Sequence, residues 1–391
     1  MMTFLLRLKR FCGIIAGIVF FLSGIVKLMD PVGAGLVMSE YYRFLHIDFM
    51  DFSAKFMGTA FAFAETIIGA AIITGVWRKI IAKCALGLQI FFTVLTLFLV
   101  IFNPEMDCGC FGEAIHLTHM QTFIKNLILL ALIMAYMLPM AHLGETTRKK
   151  YVSFSLIAVS TVAFTVYSWI YIPLIDFTAY KPGAELAEGA TIDTNEMFEA
   201  TFTYEKNGER ETFTLDNLPD STWTYVGRET RKIDTGRNFI ELSFHQPQTG
   251  AYMDALATKG KVMVVSVYDT DMKAGKWEDI KKFMRRSDTA GFTTLLLCSR
   301  TEGIPSSLED KAFIAHDYKA LISMNRSNGG VTYFSDGILI RKWARVSAPD
   351  TDELKELYDT DPTEVSIDGE SKGSLALQGF LLYVFAVMLL L

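Results

Sequence analysis

The sequence predicts an α-helical membrane bundle, four helices in a core with two more transmembrane helices beside it, carrying an extracytoplasmic α/β domain preceded by a β-rich segment. Three observations predict it. The 391-residue chain is 51% hydrophobic with a mean hydropathy of +0.29, too apolar for an ordinary water-soluble protein of this size. Five apolar runs fill its first 172 residues and a sixth closes it. Between them, residues 173–373 hold 34 acidic and 24 basic side chains, with apolar residues alternating or clustered as strands require.

The apolar runs lie at about 11–29, 53–76, 80–102, 120–140, 152–172 and 374–391. Each is near the roughly 20 residues that cross a hydrocarbon core. The first is followed by Lys27-Leu28-Met29-Asp30-Pro31 and more membrane rather than by a small-residue cleavage site, so a retained helix is expected. Arg7, Lys9 and Arg10 precede the first run, Arg78, Lys79 and Lys83 separate the second from the third, and Arg148, Lys149 and Lys150 separate the fourth from the fifth. Such clusters mark the cytoplasmic side. The opposite loops hold Asp30, Glu40, Asp48 and Asp51, then Glu105, Asp107 and Glu113. The N-terminus is therefore expected inside, and the loop around residue 108 and residues 173–373 outside. The bilayer is the first partner implied. The acidic balance of residues 173–373 argues against nucleic acid. Residues 32–52, with Leu36, Val37, Tyr41, Phe44 and Leu45 at helical spacing, suit an interfacial segment over the outer mouth of the bundle or a simple surface helix.

Short-range chemistry concentrates in Asn103–Gly112, N-P-E-M-D-C-G-C-F-G. A disulfide needs Cα atoms roughly 4.4–6.8 Å apart, which Cys108 and Cys110 can reach only through a bend that Gly109 permits. A bridge that small is strained, and strained bridges reduce easily. The residues suit a redox-active pair equally with a tight loop of two thiols or one structural bridge. A metal would need further ligands. His116 and His119 are the candidates by proximity, and no metal site is expected. Cys12 and Cys84 suit small apolar packing residues near the cytoplasmic helix ends.

Inside the spans, Glu65 sits in mid-helix, with Ser23 and Gln89 at similar depth. Ionisable groups in a bilayer face the bundle interior or a cavity. The three are expected to form a buried polar cluster with Glu65 protonated, serving as a proton or quinone site or as interhelical hydrogen-bonded glue. Lys27 is expected to snorkel outward rather than pair with Glu65.

Three stretches carry a family resemblance: G-I-V-F-F-L-S-G-I-V-K-L-M-D-P ending the first run, A-E-T-I-I-G-A-A-I-I-T-G in the second, and N-P-E-M-D-C-G-C-F-G before the fourth. Over about 1–140 the chain resembles the DoxX/MauE-like membrane family, and C-G-C-F-G tilts it toward the MauE branch. The resemblance implies a four-helix transmembrane bundle. It also implies a role near the maturation of periplasmic, disulfide-rich proteins, or thiol oxidation linked to quinone. On that basis Cys108 and Cys110 would be the redox pair. No bound cofactor is expected, and quinone is the candidate electron carrier.

In the polar part, Tyr180-Lys181-Pro182-Gly183 starts a linker. Residues 198–215 alternate about Asn207-Gly208, a hairpin signal, and 222–244 are again β-rich. Lys261–Tyr268 is a continuous apolar strand, as in a sheet covered on both faces. A helix is expected at about 276–287, then a strand at 292–298, a helix at 318–324, two strands across 330–343 and a helix from Asp352. This order resembles the thioredoxin fold over about 240–360. It departs where activity would live: Y-D-T-D-M-K-A-G-K-W holds no Cys-x-x-Cys, and Gly329-Gly330 stand where such proteins carry a cis-proline. Cys298 lies in an apolar strand, where a thiol is inert. The expected organisation is thus a bundle at 1–145, a fifth transmembrane helix within 146–175, a β-rich segment at 176–240, a thioredoxin-like domain without its own dithiol at 241–370, and a transmembrane helix at 374–391.

Two functions fit. One is an inner-membrane protein taking part in extracytoplasmic thiol–disulfide or electron relay through Cys108 and Cys110, with a periplasmic protein as client or redox partner. The other is a non-enzymatic scaffold or assembly factor whose thioredoxin-like domain binds a partner. Small-molecule transport fits less well, since no internal repeat is evident. The periplasmic setting is inferred from the pairing of the two folds.

Overall fold

The computed structural model describes residues 2–390 apart from 105, 140–142, 144–145, 188–197, 207–208, 215–218, 220–221 and 233–238. Six of its helices are long and apolar enough to cross a membrane. Helix α1 (Met2–Met29) stops at Asp30, whose side chain accepts from the Gly33 amide and caps α2 (Pro31–Phe44). Pro31 at the first position of α2 fits its missing N–H. A 3₁₀ turn, Asp48–Ser53, leads into α3 (Ala54–Thr74), which Gly75 ends in the left-handed conformation. Helix α4 (Arg78–Phe102) runs back to the cysteine loop, where Cys110–Glu113 forms β1. Thr118 and Gln121 make a capping box for α5 (His119–Met137), and α6 (Arg148–Ile170) follows.

Helices α1 and α3 pack closest, through small residues. A Cβ on Gly24 would lie 2.6 Å from the Ala62 carbonyl oxygen and against the Thr66 hydroxyl, and one on Gly69 would lie 2.5 Å from the Phe21 amide. Close backbone approach of this kind drives helix association where lipid removes the hydrophobic contrast. Gly24→Ala is therefore expected to push α1 from α3 and cost about 1–3 kcal/mol, measured as a lower unfolding temperature in detergent. An unchanged temperature would mean that the seam is loose.

The rest of the chain builds two sheets. Strand β2 is Glu185–Leu186. Strands β3 (Phe198–Lys206), β4 (Glu209–Thr214) and β5 (Thr224–Lys232) form an antiparallel sheet in the order β4-β3-β5. Lys206 stands opposite Glu209; the expected Asn207-Gly208 turn lies outside the described residues. The larger sheet adds β6 (Phe239–Ile240), β7 (Phe244–His245), β8 (Lys261–Val267), β9 (Thr293–Cys298), β10 (Ala312–Ala315), β11 (Gly330–Ser335) and β12 (Ile338–Trp343). Its order is β6-β2-β12-β11-β8-β9-β10-β7. β8, β9 and β10 run parallel, and β11 is antiparallel to both β8 and β12. Met263, Val265 and Val267 face α7 (Ala274–Thr289) through Trp277, Ile280 and Phe283. Val262 and Val264 face Leu321 and Met324, after a short helix α8 (Ser306–Glu309), on α9 (Tyr318–Met324). Covering on both faces explains why β8 reads as an unbroken apolar run.

Helix α10 (Thr351–Asp359) precedes α11 (Pro362–Leu390), which begins twelve residues before the apolar run expected at 374. Its polar first half continues the same helix, and its apolar half packs on α6 through stacked rings of Phe164 and Phe380, 4.6 Å apart.

Candidate functional site at the cysteine loop

Asn103 ends α4 in the left-handed conformation and turns the chain into the loop that carries Cys108 and Cys110, both free thiols in this structure. Gly109 between them has φ +61°, and a Cβ there would run into the Val37 side chain of α2. Only glycine meets both demands. Two hydroxyls tether the loop by its carbonyls. Tyr41 donates to the Cys108 oxygen at 2.9 Å, and Ser23 Oγ lies 2.7 Å from the Cys110 oxygen.

His119, the first residue of α5, lies with Nδ1 2.9 Å from Cys108 Sγ and Nε2 2.9 Å from the Pro104 carbonyl oxygen. A carbonyl can only accept, so Nε2 carries the ring proton and Nδ1 offers its lone pair to the thiol. This is a thiol facing an imidazole oriented by a third group, the geometry of an activated nucleophile. Burial pushes the Cys108 thiol above its ordinary value, with the neighbouring Thr122 hydroxyl working the other way.

Below the loop, Ser23 Oγ also lies 2.8 Å from Glu65 Oε2, and Lys27 Nζ sits 2.7 and 2.9 Å from the two Glu65 oxygens. Ser23 has one proton and two acceptor neighbours. That proton serves one of them at a time, the Glu65 carboxylate or the Cys110 backbone carbonyl, so Ser23 ties the cysteine loop to the polar pair below it.

The expected polar cluster is thus corrected in membership. Ser23 and Glu65 meet, but Lys27, expected to turn outward, is the direct partner. It stands one turn beyond Ser23 on the same face of α1. Glu65, expected in a cluster with Ser23 and Gln89, has the Lys27 ammonium against both of its oxygens. Gln89 is buried nearby but donates to the Asn126 oxygen at 3.0 Å, and Asn126 reaches Thr96 at 3.1 Å. Gln89 therefore belongs to an α4–α5 network. His116 contacts Asp107 at 3.3 Å on the exposed surface and does not converge with His119. Among the described residues, no three His, Cys, Asp or Glu side chains are grouped to hold a metal. Cys12 is half-buried; Cys84 is exposed at the bundle surface rather than packed within it. Burial pushes Cys298 up to about 12, as for an inert thiol.

Both cysteines line a cavity of about 360 Å³ inside the bundle. Phe61, Phe92, Leu95 and Leu129 make apolar walls, Lys27, Glu65 and Gln89 supply polar points, and Val37 and Tyr41 of α2 also line it. The segment read as interfacial therefore contributes to the cavity wall. Size and lining match a small-molecule site with a few placed polar groups. Of these residues, His119 was visible in the sequence only as a weak metal candidate, and Tyr41 only as an apolar position of α2.

Residues 2–139 match the family model described as methylamine utilisation protein MauE, and residues 198–234 match a domain of unknown function (DUF8463). No curated protein and no solved structure matches the chain. Cys108, Cys110 and the residues lining the cavity all lie within the stretch that is similar to the MauE model.

Proposed function

We propose that this protein is a membrane component of thiol–disulfide exchange, with Cys108 and Cys110 as the working pair and a periplasmic protein in maturation as the client. The observation that carries this reading is the Cys108–His119 contact of 2.9 Å at the wall of the cavity. His119 Nδ1 takes the Cys108 proton, the thiolate attacks one sulfur of a client disulfide, and the S–S bond breaks to release the other client sulfur, which takes the proton from His119. Cys110 then attacks Cys108 Sγ, breaking the mixed disulfide, and its proton goes to the departing second client sulfur. The client leaves reduced, and Cys108 and Cys110 remain joined. In the opposite direction the pair oxidises a client dithiol. The cavity suits a lipid-soluble quinone, which would supply a two-electron, two-proton acceptor. Apolar walls would hold its ring, and Lys27 and Gln89 would face its oxygens.

Lys and Arg placement supports a cytoplasmic N-terminus in the inner membrane, with the cysteine loop and the sheet domain outside. The order β12-β11-β8-β9, with a helix between β8 and β9, supports a thioredoxin-like sheet domain. Tyr268–Trp277 follows β8 without a cysteine, so the domain works as a binding or holding element.

One observation favours a second reading, an assembly scaffold: Cys108 is only 6% exposed. Redox titration separates the two. Thiols in native membranes are trapped with a mass-tagged maleimide after equilibration in glutathione buffers, with Cys108→Ser and Cys110→Ser as controls. A bond between Cys108 and Cys110 titrating within about −120 to −270 mV, the range of thiol–disulfide oxidoreductases, is the expected result. Permanent thiols, or a bond resisting reduction far below that range, would leave the scaffold.

A further inference from the structure

We propose that Arg326 is a clamp that ties the sheet domain to the cysteine strand and so sets how far Cys108 and Cys110 open to water. The residue follows α9, on the turn into β11, at the edge of the domain where the dithiol is missing. Its side chain is 5% exposed. Nε donates to Asp30 Oδ2 at 2.9 Å, Nη2 to Glu113 Oε1 at 3.0 Å and Nη1 to the Ile322 carbonyl oxygen at 3.3 Å. Each guanidinium nitrogen is engaged. The Arg326 carbonyl accepts from the Tyr268 hydroxyl at 3.0 Å, which fixes the turn to the end of β8.

The two carboxylates come from separate parts of the bundle. Asp30 joins α1 to α2, and its other oxygen caps α2 at 2.9 Å. Glu113 ends β1, the strand that begins with Cys110. One side chain therefore holds the segment covering the cavity, the strand carrying a cysteine, and the sheet domain. Burial works against the Arg326 charge, but Asp30 and Glu113 keep its affinity for the proton above the usual value. The same face carries Lys342 on Asp176 at 2.5 Å and Lys319 near Glu40 at 3.7 Å. In all three contacts the base comes from the sheet domain; Asp30, Glu113 and Glu40 come from the bundle, and Asp176 from the segment after α6. A planar fork suits this place, since a lysine offers one point charge and cannot span two carboxylates.

Without Arg326, Asp30 and Glu113 lose the cation they share, and the cysteine loop and strand keep Ser23, Tyr41, His119 and the Lys125 contact with the Phe111 ring. The clamp rests on the cysteine loop being the working site, but its test does not need the cysteines to cycle. The reduced, detergent-solubilised full chain is alkylated with a charged maleimide, and the rate is read separately for Cys108, Cys110 and Cys298 peptides. Arg326→Gln is expected to raise the Cys108 and Cys110 rates about tenfold through local opening. Arg326→Lys and Glu113→Gln should give smaller rises, while Lys319→Gln, at a looser exposed pair, should stay at the wild-type rate. Cys298, buried in the sheet core, reports unfolding of the domain and should stay protected throughout. The clamp is overturned if Glu113→Gln and Arg326→Lys label at the wild-type rate, or if Cys298 opens in parallel with the loop thiols. A failed redox titration with a raised labelling rate overturns the exchange reading alone. A successful titration with unchanged labelling overturns the clamp alone.

Discussion

His119→Phe is expected to slow disulfide exchange at Cys108 about 100-fold near pH 7, the low end of what a positioned base contributes. In the parent protein His119 Nδ1 lies 2.9 Å from Sγ, and the Pro104 carbonyl fixes the tautomer that can accept. Phenylalanine keeps a planar ring at the start of α5 but takes no proton. Cys108 is buried, and burial alone holds its thiol above the usual value. Without the base, the thiolate must form unaided in a site that disfavours charge. The sign in pH follows. Both proteins react faster as pH rises, because the thiolate is the nucleophile. The variant's rise is displaced upward, so the gap is wide near neutrality and closes at high pH. Single-turnover exchange with a peptide disulfide across pH 6–10 would show it, with Cys108→Ser as the blank. Coincident profiles would remove His119 from the chemistry and leave it a structural contact of the loop.

The sequence disclosed those parts of the site whose partners lie within a few residues. Cys108, Gly109 and Cys110 are adjacent, and the need for glycine between them follows from the bend. The cysteine–histidine contact spans eleven residues across a loop with no periodicity, so His119 could be noticed for proximity but not assigned a partner. Lys27 is different, because it was legible and misjudged. Ser23 and Lys27 are four apart on α1, so whatever faces Ser23 faces Lys27 as well. Snorkelling applies to a lysine facing lipid, whereas Lys27 lines the cavity beside Glu65. Gln89 shows the limit of depth as a guide: it lines the same cavity as Glu65, but its amide donates to the Asn126 carbonyl. In the sheet domain, the unbroken apolar run at 261–268 announced a strand covered on both sides. The Asp30–Arg326 pair, 296 residues apart, leaves no trace in a single sequence. The expectation of orientation from Lys and Arg placement is of a different kind. It is a property of whole loops, and it survives ignorance of every contact.

Lys27→Met is expected to destabilise the bundle by about 3–5 kcal/mol, as when one partner of a buried ion pair is removed. Glu65 is 3% exposed, and its remaining neighbour would be the Ser23 hydroxyl. A lone carboxylate there must protonate or pull water into the cavity. Glu65→Gln should cost less. An amide still bonds Ser23, and Lys27 keeps the Phe92 ring, 5.7 Å from its nitrogen, and four methylenes with which to reach outward. The double variant Lys27→Met/Glu65→Gln should recover much of the loss, since no charge is then stranded. Unfolding temperatures of the four proteins in one detergent give the coupling directly. Equal costs for the two single variants would mean that water already reaches the pair. In that case neither charge would be stranded by loss of the other. A large cost for Lys27→Met with recovery in the double variant would mean a dry pair, held together because, among the described residues, each charge has no other partner of opposite sign within reach.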